Sequence, residues 1–249
     1  MTAGPSPHPL LAAIDPPLPD LEGIPPREWL LGARLERGCI SLLAAPGGAG
    51  MSALALAMAA SLASGRDLLD ETVHHSVPAW VLTLEDPADE VNRRLAALMR
   101  HHRIERQDLL GRLFLGDDWR LAMASARFGG IQYPDGNAIL SKALARQVGL
   151  IVVDPFITPR KVDGTSAMHM DLAATAWTRV AQAARCAVLL VHPVRKVSLW
   201  GDVFGMEAAS SGGSLADAAS SAGLLSGMRA DEAERLGVPA RTLRVCAAG

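Results

Sequence analysis

The sequence predicts an α/β domain built on a mostly parallel, twisted sheet with helices on both faces. Its predicted strands are apolar almost throughout, and they alternate along the chain with predicted helices. Strands of this kind are typical of parallel sheets that are covered on both sides, because neither face meets water. With 249 residues, 49% of them hydrophobic, the chain can bury the core of one large domain.

The strongest strand candidates are four apolar runs, at residues 39–44, 79–84, 150–153 and 186–191. Residues 52–63 consist almost entirely of Ala, Leu and Met, which are strong helix formers, so we expect a helix that is buried nearly all round. A long polar loop is expected after the last of these strands, at residues 193–213. The other predicted elements are helices at 88–102, 137–147, 167–184 and 231–236, and short strands at 113–115, 222–225 and 242–245.

The N-terminal 26 residues contain eight prolines and no Lys or Arg. We expect residues 1–26 to form an extended arm, with residues 27–249 as a single α/β domain. The arm lacks the basic start and unbroken apolar segment of a secretory signal. No apolar run reaches the roughly 18 residues of a membrane span, so the sequence predicts a soluble, cytoplasmic protein with no membrane partner.

Charge and cysteine content exclude several classes of protein. The net charge is −2, so no general basic field draws the chain to nucleic acid, and any such contact must be local. The three cysteines, Cys39, Cys186 and Cys246, form no metal-binding pair, and we interpret them as small apolar side chains in a reducing compartment.

A glycine-rich turn joins the first strand to the predicted buried helix, and it has the pattern of a phosphate-binding loop. Glycines allow the backbone to curl so that N–H groups point at phosphate oxygens, and the helix N-terminus adds its positive end. In such loops a lysine near the end reaches the β- and γ-phosphates, and the next Ser or Thr binds magnesium. Here Met51 stands at the lysine position and Ser52 follows it. The alternative is a glycine turn that binds no ligand. The candidate nucleotide-binding residues are Pro46, Gly47, Gly48, Ala49, Gly50, Met51 and Ser52.

Three further polar residues, Glu85, Asp154 and His192, follow predicted parallel strands. Ligands bind at the carboxyl ends of such strands, so we expect these side chains near the glycine loop. Asp154 is a candidate to hold magnesium through water, together with Ser52, and Glu85 is a candidate general base. Two alternatives stay open: Asp154 caps the next turn, or residues 85–87 form a helix N-cap, with Asp86 capping.

These stretches, in this order, resemble RecA-like P-loop ATPases, and within them the AAA family related to the hexameric plasmid replicative helicase RepA. The resemblance runs from Pro25 to Val245. It is carried by residues 26–30, 46–56, 65–69, 84–87, 93–95, 150–156, 186–192 with 195–196, and 214–218.

The resemblance implies roles for four residues. Glu85 matches the catalytic glutamate, Asp154 the Walker B aspartate, His192 a histidine that senses the γ-phosphate, and Arg94 an active-site arginine. It also implies ATP and Mg²⁺ as cofactors. The relatives assemble as homo-oligomeric rings, hexamers among them, with nucleotide between subunits and an arginine finger from the neighbour.

Single-stranded DNA is a further partner that the resemblance implies. The loop after His192 would face the centre of the ring. Its candidate DNA contacts are Arg195 and Lys196, together with Arg160 and Lys161. The alternative is that these four cations are ordinary solvated loop charges.

The sequence departs from the family pattern where cations are expected. Met51 supplies neither charge nor donor, and residues 210–213 read Ser-Ser-Gly-Gly where the relatives carry the arginine finger. An arginine finger contributes about 10³–10⁵ in rate. We therefore expect a degenerate ATPase that binds nucleotide weakly or not at all and acts as a regulatory or accessory subunit.

Two other functions stay open. The chain could be an active DNA-dependent ATPase or helicase whose missing cation comes from Lys196, Lys161 or Arg160, in the same or a neighbouring subunit. It could also be a binding module with no relation to nucleotide.

Overall fold

A computed structural model describes residues 23–116, 125–127, 130–132, 135–156, 166–194, 215, 218–239 and 242–248. Residues 1–22 of the predicted arm therefore lie outside the described residues. So do the four candidate DNA contacts, Arg160, Lys161, Arg195 and Lys196, and the segment 210–213.

Eleven strands and six helices have described bounds. In chain order they are β1 (Trp29–Leu31), β2 (Leu35–Glu36), β3 (Ile40–Pro46), α1 (Met51–Ser64), β4 (Ala79–Thr83), α2 (Ala88–His102), α3 (Arg106–Leu109), β5 (Leu113–Gly116), β6 (Ser125–Arg127), β7 (Gly130–Gln132), α4 (Gly136–Ala145), β8 (Leu150–Asp154), α5 (Ser166–Ala184), β9 (Ala187–Val194), β10 (Ser221–Gly227), α6 (Ala230–Leu236) and β11 (Leu243–Ala248).

A seven-stranded sheet forms the centre of the molecule, in the order β11-β10-β3-β9-β8-β4-β5. Its strands pair in parallel from β10 to β5, and only β11 joins antiparallel. The predicted α/β fold with a mostly parallel sheet is confirmed. Because β9 lies between β3 and β8, the strand that leads into the glycine loop does not neighbour the strand that ends at Asp154.

Both faces of the sheet are buried, which explains the uninterrupted apolar runs of the strands. One hydrophobic cluster includes Trp177 and Val180 of α5 with Ile151 and Leu190 of the sheet. The other includes α1 and the β1–β2 hairpin. Ten of the fourteen residues of α1 are buried, as its composition predicts. Among the described helices, none is long and apolar enough to cross a bilayer.

Several elements were not predicted from the sequence. The β1–β2 and β6–β7 hairpins and α3 are each only two to four residues per element, too short to show a period. The predicted loop at 193–213 begins too early. Pro193 and Val194 belong to β9, since they pair with Ala45 and Pro46 of β3.

The three cysteines are free thiols, but they differ in burial. Cys186 is fully buried, and burial raises the pKa of its thiol to about 12. Cys39 and Cys246 are half-buried. The prediction of an apolar, inert thiol therefore holds best for Cys186, which stays protonated at any physiological pH.

Trp177 is 1% exposed and is the largest fully buried side chain among the described residues. We expect Trp177→Ala to lower the free energy of unfolding by about 3–5 kcal/mol, because it removes apolar contacts and leaves a cavity. Urea denaturation measures the change. Leu236→Ala is the control, since Leu236 is 61% exposed, and should change stability by less than about 0.5 kcal/mol. Equal losses in the two variants would contradict the described core.

Candidate nucleotide-binding site

The glycine loop between β3 and α1 is curled. Gly48 and Gly50 adopt left-handed conformations, with φ of 79° and 84°, and the Ala49 N–H donates to the Pro46 carbonyl at 3.2 Å. Pro46 and Ala49 are buried, whereas Gly47, Gly48 and Gly50 are exposed. A Cβ placed on any of these three glycines would meet no atom within 4 Å. The space over the loop is therefore open to a ligand.

The start of α1 adds uncapped backbone donors to this loop. Gly50 is the N-cap, no side chain caps the helix, and the first turn contains no acidic residue. The first N–H groups of a helix have no partner within it, and they carry the positive end of its dipole. An anion placed against the loop would meet these donors.

Met51 packs into the core instead of reaching over the loop. It is the first residue of α1, is 8% exposed, and belongs to the hydrophobic cluster that α1 and the β1–β2 hairpin share. The position of the expected lysine therefore contributes packing instead of charge.

Ser52 and Asp154, the two predicted metal-binding residues, lie together. Asp154 is the last residue of β8 and only 7% exposed. Burial raises the pKa of its carboxyl group, while a hydrogen bond with the Ser52 side chain and the charge of Arg94 act in the opposite direction. Magnesium prefers oxygen ligands and takes few of them from protein in phosphate sites, so a hydroxyl next to a carboxylate fits it.

Two more acids approach Asp154 from β4. Thr83, the last residue of β4, pairs with Asp154, and the Leu84 N–H donates to the Asp154 carbonyl at 2.8 Å. The chain then continues into Glu85, which is exposed, and Asp86, which is half-buried. The charges of both residues raise the pKa of Asp154 further. The carboxyl ends of β4 and β8 thus bring three carboxylates into one region.

Arg94, on α2, is a cation at the edge of this acidic region. Its Nη1 lies 2.5 Å from Asp86 Oδ2, and its Nε lies 3.1 Å from Glu90 Oε1. Burial lowers the pKa of Arg94, but the hydrogen bonds and charges of Asp86 and Glu90 outweigh it, and the net shift is upward. Arg94 therefore remains charged, and both acids already engage it.

Asp86 is not a helix cap, which corrects one of the alternatives for residues 85–87. The N-cap of α2 is Pro87, with φ −67° and ψ 151°, and no side chain caps the helix. The Asp86 carboxylate is held by Arg94 instead.

His192 lies near the end of β9, opposite Ala44 of β3. It is half-buried, and its Nδ1 is 3.0 Å from the Phe156 carbonyl. Since β9 runs between β3 and β8, this places His192 between the strands that lead to the glycine loop and to Asp154. The structure thus puts Glu85, Asp154 and His192 at one edge of the sheet.

The ion pairs of Arg94 are what reasoning from the sequence missed. The Glu90–Arg94 pair has the i, i+4 spacing of neighbours on a helix face, and that spacing was a usable signal. Asp86 lies outside the helix, eight residues before Arg94, and no sequence period connects them.

Comparison with known proteins settles the family. A sequence profile described as an AAA domain matches residues 15–198, well over half of the chain. The chain belongs to the AAA domain family. This AAA domain is also similar to the solved structure of another ATPase domain, with a TM-score of 0.54 and 15% sequence identity. The alignment covers 84% of this chain and 80% of that one. A likeness at this identity shows the fold, that of a RecA-like P-loop ATPase.

The glycine loop of this AAA domain offers a test of its curled backbone. Gly48→Ala should lower the free energy of unfolding by roughly 1–2 kcal/mol, because the alanine Cβ is strained at positive φ although nothing blocks it sterically. Chemical denaturation measures the loss. The matched control is Gly47→Ala, since Gly47 is also exposed and lies outside the left-handed region. A straight loop would make the two variants equivalent.

Proposed function

We propose that this AAA domain binds nucleotide but is impaired in ATP hydrolysis, and that it acts through assembly as a ring-forming or accessory regulatory subunit. One observation carries the proposal. Met51 is buried at the position of the expected lysine, while the amide loop, Ser52 and Asp154 keep their places.

The magnitudes favour a larger loss in hydrolysis than in binding. Removing one preorganised donor from an active site costs on the order of 3–4 kcal/mol of transition-state stabilisation. Backbone N–H groups and the helix N-terminus still contribute to ground-state binding of phosphate. Phosphoryl transfer instead depends on positive charge placed around the transferred group, and the loop supplies none.

Magnesium would be held by Ser52 and Asp154, and it supplies positive charge that neutralises the phosphates when bound. The chain's own residues then have separate tasks. Asp154, buried at the end of β8, would orient the Ser52 hydroxyl through their hydrogen bond. Glu85, which is exposed, would accept a proton from an attacking water.

The assembly role follows from the RepA-like resemblance. In that arrangement a second subunit would cover the exposed glycine loop, and the homo-oligomer would form a ring. Residues 210–213, where the relatives carry the finger, supply no arginine. A neighbour would then shield the nucleotide without completing a catalytic site.

An active DNA-dependent ATPase is the second candidate. The observation that favours it is the retained set of acids, with Glu85 exposed next to Asp154, because a chain without hydrolysis has no use for a general base. Its missing cation would come from Lys196, Lys161 or Arg160, in the same or a neighbouring subunit.

Steady-state ATP hydrolysis, with and without single-stranded DNA, separates the two candidates. We expect turnover below about 0.01 s⁻¹ for the unmodified chain, against roughly 1–10³ s⁻¹ for ordinary enzymes. Met51→Lys should tighten Mg-ATP binding about tenfold or more, since its stem can stay in the core while the ammonium reaches the loop. Met51→Leu, a volume-matched neutral control, should leave affinity unchanged. Ordinary turnover in the unmodified chain would establish the second candidate.

Magnesium dependence tests the role of Ser52. Titration of a fluorescent ATP analogue should show weaker binding when EDTA removes magnesium. In Ser52→Ala, affinity with magnesium should fall several-fold, and EDTA should change it little further, because the variant has lost one metal ligand. Ser64→Ala, at the opposite end of α1, should behave like the unmodified chain. An unchanged EDTA response in Ser52→Ala would exclude Ser52 as a ligand.

A further inference from the structure

Carboxylates accept hydrogen bonds from three of the five N–H donors of the Arg94 guanidinium. Its Nη1 and Nη2 lie 2.5 Å and 3.3 Å from the two oxygens of Asp86, and its Nε lies 3.1 Å from Glu90. All three nitrogens therefore donate to acids. The arginine beside the acidic region is neutralised before any nucleotide arrives.

The two partners of Arg94 are held in different ways. Asp86 follows β4 two residues after Leu84, whose N–H donates to the Asp154 carbonyl, so its backbone is tied to the sheet edge. Glu90 lies one turn before Arg94 on α2, where the helix itself keeps the pair together. The Glu90 contact is thus local to α2, whereas the Asp86 contact joins the helix to a residue outside it.

We propose that Asp86 is a positioning residue that binds Arg94 while the nucleotide site is empty. When a nucleoside triphosphate binds, it displaces Asp86, and Arg94 supplies the positive charge that the missing loop lysine would provide. The inference rests on the proposed function. A guanidinium binds phosphate with the same two-pronged geometry as carboxylate, so the exchange keeps its hydrogen bonds.

The exposure of the pair makes this exchange feasible. The Arg94 and Asp86 side chains are 34% and 33% exposed, and ion pairs at such exposure contribute little to stability. A triphosphate carries more charge than one carboxylate. Asp86 follows β4, whose last residue, Thr83, pairs with Asp154 of β8, so the Asp86–Arg94 pair lies at the carboxyl ends of these two strands.

A single variant cannot establish the exchange, because removing any acid near the site attracts an anion. The test is therefore a double-mutant cycle of Asp86→Asn and Arg94→Gln, read by titration of a fluorescent ATP analogue with magnesium. Asp86→Asn should bind about tenfold more tightly than the unmodified chain. Arg94→Gln should bind about tenfold more weakly, and the double variant should match Arg94→Gln.

Two further variants sharpen the cycle. Asp89→Asn removes an exposed carboxylate from the first turn of α2, the turn that also carries Glu90. Asp89 makes no described contact with Arg94, so this variant should change affinity less than twofold. Arg94→Lys keeps the charge and loses the two-pronged contact. In the Arg94→Lys background, Asp86→Asn should retain only part of its gain in affinity. This pair of variants also tests the exchange if Arg94→Gln is poorly folded.

The outcomes separate this inference from the proposed function. Asp86→Asn could keep its full gain in affinity in the Arg94→Gln background, or show no gain in the unmodified chain. Either result would mean that Asp86 does not hold Arg94 back from the nucleotide, while nucleotide binding itself stands. If none of the proteins binds the analogue, although their circular dichroism spectra match, both the inference and the proposed function are wrong.

Discussion

The left-handed turn at Gly48 and Gly50 is the constraint on which the rest of the site depends. It lets α1 begin directly beyond β3, with its uncapped N–H groups at the sheet edge and its apolar surface against the core. A residue with a Cβ would strain this turn, so the glycines are required for the conformation itself. The same turn places Met51 on the core side of the helix start and Ser52 beside Asp154.

The electrostatic character of the site follows from strand order. The carboxyl ends of β4 and β8 are neighbours, so Glu85, Asp86 and Asp154 crowd together, and Arg94 reaches them from α2. Without a loop lysine, acids outnumber the cations that face them among the described residues. A triphosphate therefore needs positive charge from magnesium, from Arg94 or from a neighbouring subunit, and this requirement links the proposed functions to one another.

The sequence located best those elements whose own residues show a boundary signal and a regular pattern of apolar and charged side chains. The bounds of α2, Ala88–His102, were predicted to the residue, because Pro87 marks the start and apolar residues recur at helical spacing between charged ones. The short hairpins and the extension of β9 to Val194 were missed. Their existence depends on pairing partners distant in the chain, such as Ala45 and Pro46 for the end of β9.

By itself, the sequence determined the α/β class, the glycine turn before a buried helix and the absence of a lysine from that turn. These features are local, since they depend on which residue types are adjacent. Only the tertiary structure decided that β9 separates β3 from β8, that the Met51 side chain is buried, and that Asp86 binds Arg94 instead of capping α2. Such facts arise from contacts between segments far apart in the chain, where a side chain's partner is set by packing and not by its neighbours in sequence.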